Sequence, residues 1–181
     1  IDILVNNVGA GPKDAIAPDD HELGPSQAIW DALYGQNLLP VVLMSEAVIP
    51  HMRANQCGKI IHISSIAGKA PFSDKMLEYF VHHSYGAMKA ALISLTQTQS
   101  ELLGPSNINV NAICPGVTMT AIVEDLMTTR AAEQGISKDE MLNRMAKPIP
   151  IGRPNDPSDI AALAVFLAGA GSRNNTGQSY N

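Results

Sequence analysis

Tyr85 and Lys89 lie four residues apart in the segment Ser84–Lys89 and pair a phenol with an ammonium group. On a helix this spacing places both side chains on one face. A free tyrosine has a pKa near ~10, too high for a base at neutral pH, and a fixed cation nearby lowers that pKa by favouring the phenolate. The pair therefore fits an acid/base role, although an ordinary pair on a solvated helix has the same spacing.

Two other polar segments follow apolar runs that are typical of buried strands. Ser64 and Ser65 end the run that begins at Gly58, and Asn6–Gly9 follows the run Ile1–Val5. In open α/β sheets, ligands bind beyond the carboxyl ends of the strands, and a glycine there lets a ligand approach the backbone. The serines could instead serve as turn or cap residues, and Asn6–Gly9 could be a plain exit loop.

A long helix is predicted from a cap at Ser26 to about Asn55. Pro40 cannot donate a hydrogen bond to the carbonyl of Gln36, so we expect a kink there that leaves this carbonyl free to hold a water. Asn37 is the polar residue beside the kink. It could act with that water or simply occupy a solvated helix position.

The rest of the chain alternates between strand and helix patterns, which predicts right-handed βαβ units and a parallel sheet. Two short helices predicted within Ala121–Ala146 could form a lid over a substrate or pack against the core. The predicted segments are a loop at Pro12–Pro25, a helix at Tyr85–Leu103 stopped by Gly104-Pro105, a strand at Ile108–Ile113, two short helices within Ala121–Ala146, a helix from about Asn155 to Ala168 and a strand at Thr176–Tyr180.

Composition limits the classes of function. The 181 residues, 45% apolar and 16% charged, fit one soluble globular domain over residues 1–181. A net charge of −5 without a basic run argues against nucleic acid or an anionic membrane as a partner, and runs such as Leu38–Met44 are too short to span a bilayer. Cys57 and Cys114 alone fit no disulfide framework and favour a cytoplasmic location.

We predict no metal site. The histidines that could be grouped are His82-His83 with His51 or His62, but adjacent histidines rarely offer both rings to one ion, and no His-Glu-x-x-His spacing occurs. The chain opens without Met on a strand pattern and ends on another, so we expect a piece of a longer protein that lacks the first strands of its sheet.

Together these segments resemble the short-chain dehydrogenase/reductase family, over nearly the whole chain and the C-terminal two-thirds or so of a typical member. The resemblance implies a Rossmann-like, doubly wound parallel sheet in three α/β/α layers. The matching residues, in the family's order, are Asn6-Asn7-Val8-Gly9 (similar to Asn-Asn-Ala-Gly), Asn37, Ser65, Tyr85, Lys89, Pro115-Gly116 and Gly152-Arg153-Pro154.

The resemblance implies an oxidoreductase that moves a hydride between NAD or NADP and a small carbonyl or secondary alcohol. Tyr85 would be the acid/base, Lys89 would lower its pKa and hold the nicotinamide ribose, Ser65 would bind the substrate oxygen, and Asn37 would hold a relay water. It also implies a homo-oligomer, a dimer or a tetramer. The residues expected at the cofactor are Asn7, Gly9, Tyr85, Lys89, Pro115, Gly116, Thr118 and Thr120.

Three features depart from the family pattern. Phe72–His83 looks like an insertion beside the site, the glycine-rich turn that holds the cofactor pyrophosphate is absent, and the C-terminal strand is cut short after Gln178. The alternative function is therefore a non-catalytic domain that uses the same fold for ligand binding or oligomer contacts.

Overall fold

The computed structural model describes residues 1–9, 27–70 and 83–181. The predicted loop at Pro12–Pro25, the cap at Ser26 and most of the expected insertion at Phe72–His83 lie outside these ranges. Of that insertion, the described part is His83, which is the first residue of a helix.

Within the described ranges, four parallel strands form one sheet in chain order: β1 (Ile3–Asn6), β2 (Gly58–Ile63), β3 (Ile108–Ile113) and β4 (Ser179–Tyr180). The apolar runs form strands because both faces of the central strands are covered. The predicted parallel sheet is confirmed. The last strand starts later than expected because the Thr176 hydroxyl, and not a backbone group, accepts the hydrogen bond from the Val110 amide, at 3.0 Å.

Helices cover both faces of the sheet. On one face, α2 (Leu39–Asn55) and α3 (His83–Leu103) pack on β2 and β3, and on the other α6 (Pro157–Ala168) packs on the same strands. The result is the expected three-layer α/β/α arrangement, with its core on either side of β2. The first layer's buried residues are Val48, Met52, Ile60, Leu103, Ile108 and Val110, and those of the second are Ile61, Ile113 and Leu167.

The predicted long helix is interrupted where Pro40 required it. It forms α1 (Gln27–Asn37) and α2, separated at Leu38, with Pro40 in the first turn of α2. Proline is tolerated at this position because the first amides of a helix have no intrahelical partner. The break leaves Asn37 at the end of α1, where it is buried rather than solvated.

Taken as one segment, Gln27–Asn55 is long and apolar enough to meet a criterion of length and hydropathy for crossing a membrane. Uninterrupted apolar runs within it, such as Leu38–Met44, are too short to span a bilayer. Core helices of globular proteins also meet this criterion. In this protein, α2 packs against the sheet through Val48 and Met52.

The two short helices, α4 (Ala121–Glu133) and α5 (Lys138–Ala146), form a hairpin with its own small core of Met127, Ala131 and Met141. The two ends of this excursion meet at a bridge between Thr118 and Asn155. There the Met119 amide donates to the Asn155 carbonyl at 2.8 Å, and the Asn155 amide donates to the Val117 carbonyl at 2.9 Å. The two segments that join the hairpin to the rest of the domain are thus hydrogen-bonded to each other.

His62 is fully buried on β2, and its ring forms hydrogen bonds with a neighbouring strand and with a helix that covers the sheet. Its Nδ1 lies 3.0 Å from Asn6 Nδ2 on β1, and its Nε2 lies 3.0 Å from Gln99 Oε1 on α3. Asn6 Nδ2 also donates to Ser45 Oγ on α2, at 3.3 Å. Because an amide nitrogen donates and an amide oxygen accepts, the ring is the neutral Nε2–H tautomer. Burial lowers the pKa of His62.

This network predicts an acid-sensitive stability. The pKa of His62 is below its unfolded value of 6.5, so the unfolded chain binds the proton more readily, and stability is lost as pH falls from about 6.5 towards the folded-state pKa. The slope approaches ~1.4 kcal/mol per pH unit. Urea unfolding across this pH range should show a steeper loss for the unchanged protein than for His62→Gln.

The matched control is His51→Gln, since His51 is exposed on α2. That variant should retain the pH dependence of the unchanged protein. Equal slopes for the protein with and without His62 would contradict the role assigned to this network.

Candidate active site

Ser65 follows β2 directly and begins the turn that leads from the sheet to the next segment. Its Oγ accepts a hydrogen bond from the Ala67 amide at 3.1 Å and so caps the short 3-10 turn Ile66–Gly68. The Ile66 amide donates to the Pro115 carbonyl at 3.1 Å. This bond ties the Ser65 turn to the segment that leaves β3, so the two carboxyl-end loops lie side by side.

Tyr85 and Lys89 lie in the first two turns of α3, where the sequence placed them. Lys89 Nζ is 5.5 Å from the centroid of the Tyr85 ring, within cation–π range. A side-chain hydrogen bond joins Ser65 to Tyr85. The structure therefore brings the hydroxyl, the phenol and the amine together at the carboxyl edge of the sheet.

α3 is fixed to β2 through backbone carbonyls. Lys89 is 3% exposed, and its Nζ donates to the Ile63 carbonyl at 3.1 Å. In return, Ser64 Oγ donates to the Lys89 carbonyl at 2.7 Å. Ser64 thus ties α3 to the end of β2. The turn or cap role that was expected for one of the two serines belongs to Ser65, which caps the 3-10 turn.

The pKa of Tyr85 is raised, not lowered. Burial disfavours the phenolate and is the larger effect, while the hydrogen bond from Ser65 opposes it. Lys89 Nζ lies by the ring and donates to the Ile63 carbonyl. The expectation that Lys89 sets a low pKa for Tyr85 is therefore wrong for this structure, and the phenol is protonated at neutral pH.

Lys89 is itself strongly perturbed. Burial lowers its pKa to about 8, since the ammonium form loses hydration, and a negative charge on Cys114 would act in the opposite direction. Cys114 is a buried thiol beside Ser64 and Ser65, and burial raises its pKa. A lysine with a pKa near 8 can both bind an anionic or hydroxyl group and exchange a proton near physiological pH.

Gly9 and Asn37 complete the cluster from the side of β1. The Asn37 side chain is buried and donates from Nδ2 to the Leu33 carbonyl at 3.2 Å. Gly9 has φ 147°, and a Cβ placed there would lie 2.6 Å from Asn37 Oδ1 and 2.9 Å from Lys89 Nζ. The exit of β1 can therefore reach these two side chains because residue 9 has no side chain of its own.

The other predicted cofactor residues differ in their positions. Pro115 and Gly116 lie beside the Ser65 turn, since the Pro115 carbonyl accepts from the Ile66 amide. A Cβ placed on Gly116 would lie 3.8 Å from Cδ1 of the Ile66 side chain. Thr118 Oγ1 donates to the Gly116 carbonyl at 3.2 Å. Thr120 instead caps α4 by accepting from the Val123 amide at 3.4 Å. Asn7 is exposed where the chain leaves β1.

The contact of Lys89 with the Ile63 carbonyl could not be predicted because a backbone acceptor has no signature in the sequence. Ser64 could have been assigned from strand alternation. It shares the face of Ile60 and His62, which is covered by α2 and α3.

Over residues 1–181 the chain matches the family model described as Enoyl-(Acyl carrier protein) reductase. A crystal structure of an oxidoreductase of the short-chain dehydrogenase/reductase family from Burkholderia thailandensis is 27% identical, with a TM-score of 0.78 over 99% of this chain and 62% of that one. The chain belongs to the short-chain dehydrogenase/reductase family.

Curated relatives agree with this assignment. Galactitol 2-dehydrogenase of Agrobacterium fabrum is 37% identical over 100% of this chain and 66% of its own length. The 3-oxoacyl-(acyl-carrier-protein) reductase of Thermotoga maritima is 32% identical over 98% of this chain and 63% of its own. The chain thus spans just under two-thirds of the length of these relatives, as the resemblance of its motifs had indicated.

The burial of Lys89 predicts a lysine that titrates near pH 8. With lysine labelled at its ε-carbon, an NMR titration should show one resonance with a midpoint near this value, and this resonance should be missing from Lys89→Met. Lys138→Met, which removes an exposed surface lysine, should leave it in place. A spectrum in which the Lys89 resonance titrates with the exposed lysines would contradict the buried position of its amine.

Proposed function

We propose that this chain carries the substrate side of an NAD- or NADP-dependent oxidoreductase that interconverts a carbonyl compound and a secondary alcohol. The observation that carries the proposal is the meeting of the Ser65 hydroxyl, the Tyr85 phenol and the buried Lys89 amine at the carboxyl edge of a parallel sheet. Two relatives of this chain are named as a 3-oxoacyl-(acyl-carrier-protein) reductase and a galactitol 2-dehydrogenase.

Tyr85 is the proton donor in the direction of carbonyl reduction. Its raised pKa keeps the phenol protonated at neutral pH, so the proton is available for the oxygen that gains negative charge. In the reverse direction the same group must first lose its proton. Alcohol oxidation should therefore become faster as pH rises, while carbonyl reduction depends little on pH near neutrality.

Ser65 acts on the oxygen that receives this proton, and Lys89 acts on the phenol that donates it. The Ser65 hydroxyl, placed by its turn, donates to the substrate oxygen and stabilises the charge that develops there. Lys89 stabilises the phenolate that remains after proton transfer, and its own pKa of about 8 allows it to return a proton. Asn37 lies close enough to Lys89, across Gly9, to hold a water that connects the amine to solvent.

The residues present fit a nicotinamide cofactor. Gly9 lets the backbone that leaves β1 lie directly against Asn37 and Lys89, and Pro115, Gly116 and Thr118 belong to the neighbouring loop. When bound, NAD or NADP would supply or accept the hydride. A 3-oxoacyl-(acyl-carrier-protein) reductase of Brucella melitensis, 27% identical with a TM-score of 0.76, has been solved with NAD bound.

We further propose a homo-oligomer in the cytoplasm. The outer faces of the first helices and of α3 expose large apolar side chains that a second copy could cover, and both cysteines are free thiols. These residues are Trp30, Tyr34, Leu43, Met44 and Leu102. Small carbonyl compounds and alcohols, rather than a macromolecule, are the proposed substrates.

The first test is Tyr85→Phe in the gene product that contains this chain. NADH and NADPH oxidation should be followed with acetoacetyl-CoA as the probe ketone, and cofactor reduction with galactitol as the probe alcohol. Loss of the proton donor should lower kcat by roughly 10²–10⁴-fold, the usual contribution of general acid catalysis. Cofactor affinity should be nearly unchanged because the ring remains.

Tyr34→Phe is the matched control, since Tyr34 is half-exposed on α1, and it should keep the activity of the unchanged protein. If the unchanged protein turns over a probe and Tyr85→Phe has the same kcat, the assignment of Tyr85 as proton donor is refuted. If the unchanged protein binds a nicotinamide cofactor without turning over any carbonyl or alcohol probe, the alternative of a non-catalytic binding domain is favoured.

A further inference from the structure

We infer that Gly68 and Gly86 are positioning residues: together they let the turn that carries Ser65 lie directly against the backbone of the helix that carries Tyr85 and Lys89. The inference rests on the proposed function, in which Ser65 and Tyr85 act on one oxygen atom. It concerns the contact that sets the distance between them.

Gly68 ends the 3-10 turn that Ser65 caps. A Cβ placed on Gly68 would lie 2.6 Å from the Lys89 carbonyl carbon, 2.7 Å from the Ala90 amide nitrogen and 2.8 Å from the Lys89 carbonyl oxygen. Real Cβ atoms essentially never come this close to backbone atoms. These are main-chain atoms in the middle of a helix, so they cannot move aside as the end of a flexible side chain can.

Gly86 makes the same contact from the helix side. A Cβ placed there would lie 2.9 Å from the Ala67 carbonyl oxygen, one residue before Gly68. Turn and helix therefore meet backbone to backbone at two successive points. Gly86 immediately follows Tyr85 in the chain, so any displacement at this point also acts on the phenol.

The turn has little freedom to absorb an added methyl group. The Gly68 amide donates to the Ser65 carbonyl at 3.0 Å, and the Ala67 amide donates to the Ser65 hydroxyl at 3.1 Å. Ser64 is in turn bonded to the Lys89 carbonyl at 2.7 Å, beside the point where the methyl group would enter. A side chain at position 68 must therefore shift the Ser65 turn away from α3 and lengthen its contact with Tyr85.

The test measures the pKa of Tyr85 by NMR, with tyrosine labelled at its ζ-carbon and the resonance assigned by its loss in Tyr85→Phe. Ser65→Ala should raise this pKa further, because it removes the hydrogen bond that favours the phenolate. Gly68→Ala should change the pKa in the same direction. The double variant Ser65→Ala/Gly68→Ala should show no further rise, because Gly68 acts through Ser65.

Activity gives a second, independent readout. In the gene product that contains this chain, Gly68→Ala should lower kcat between roughly tenfold and a hundredfold, the scale expected for a misplaced catalytic group, with little change in cofactor affinity. Gly86→Ala should have a smaller effect of the same kind. If Gly68→Ala does not fold, Gly86→Ala carries the test, since alanine is favourable inside a helix.

Gly35→Ala is the matched control, because a Cβ at Gly35, on α1, would meet nothing within 4 Å. It should leave both the Tyr85 titration and kcat unchanged. The inference is overturned if Gly68→Ala and Gly86→Ala fold and titrate like the unchanged protein, or if the pKa changes caused by Ser65→Ala and Gly68→Ala simply add. The titration needs no turnover, so its failure is distinguishable from failure of the proposed function.

Discussion

The arrangement of this protein depends on the parallel register of β1, β2 and β3. Asn6 pairs with His62, and Ile63 pairs with Ile113, so the three strands end at nearly the same level. Because all three run in one direction, their exit loops meet at one edge of the sheet. Gly9, Ser65 and Pro115 each follow one of these strands, and the site exists because the register aligns their ends.

Two helices then bring side chains to this edge, and they are held there by different means. α1 ends at Asn37 because Pro40 interrupts the long helix. α3 is held against the end of β2 by hydrogen bonds to the carbonyl of Ile63 and from Ser64 to the carbonyl of Lys89. It is held against the turn after β2 by close backbone contact at Gly68 and Gly86. This close fit buries the side chains of Tyr85 and Lys89, and burial has an electrostatic effect on both. It raises the pKa of Tyr85 and lowers that of Lys89, so both groups are shifted towards their neutral forms.

Much of the fold, and which residues meet in the candidate site, could be predicted from the sequence, since both depend on patterns that side chains display. Apolar runs indicated the strands, Pro40 indicated the break beside Asn37, and the spacing of Tyr85 and Lys89 indicated one helix face. The direction of the Tyr85 pKa could not be obtained in the same way. A neighbouring cation is visible in the sequence, whereas the depth at which a phenol is buried depends on what packs around it. Thr120 shows a related limit, because a hydroxyl before a helix can serve as a cap as readily as it can bind a ligand.

A structure of the gene product that contains this chain, determined with NAD or NADP bound, tests the central claim most directly. The nicotinamide ring should lie at the carboxyl edge of the sheet, within contact distance of the Ser65 and Tyr85 hydroxyls, with the Lys89 amine on the adjoining ribose. A cofactor bound elsewhere, or a bound cofactor whose reactive ring is remote from these two hydroxyls, would contradict it.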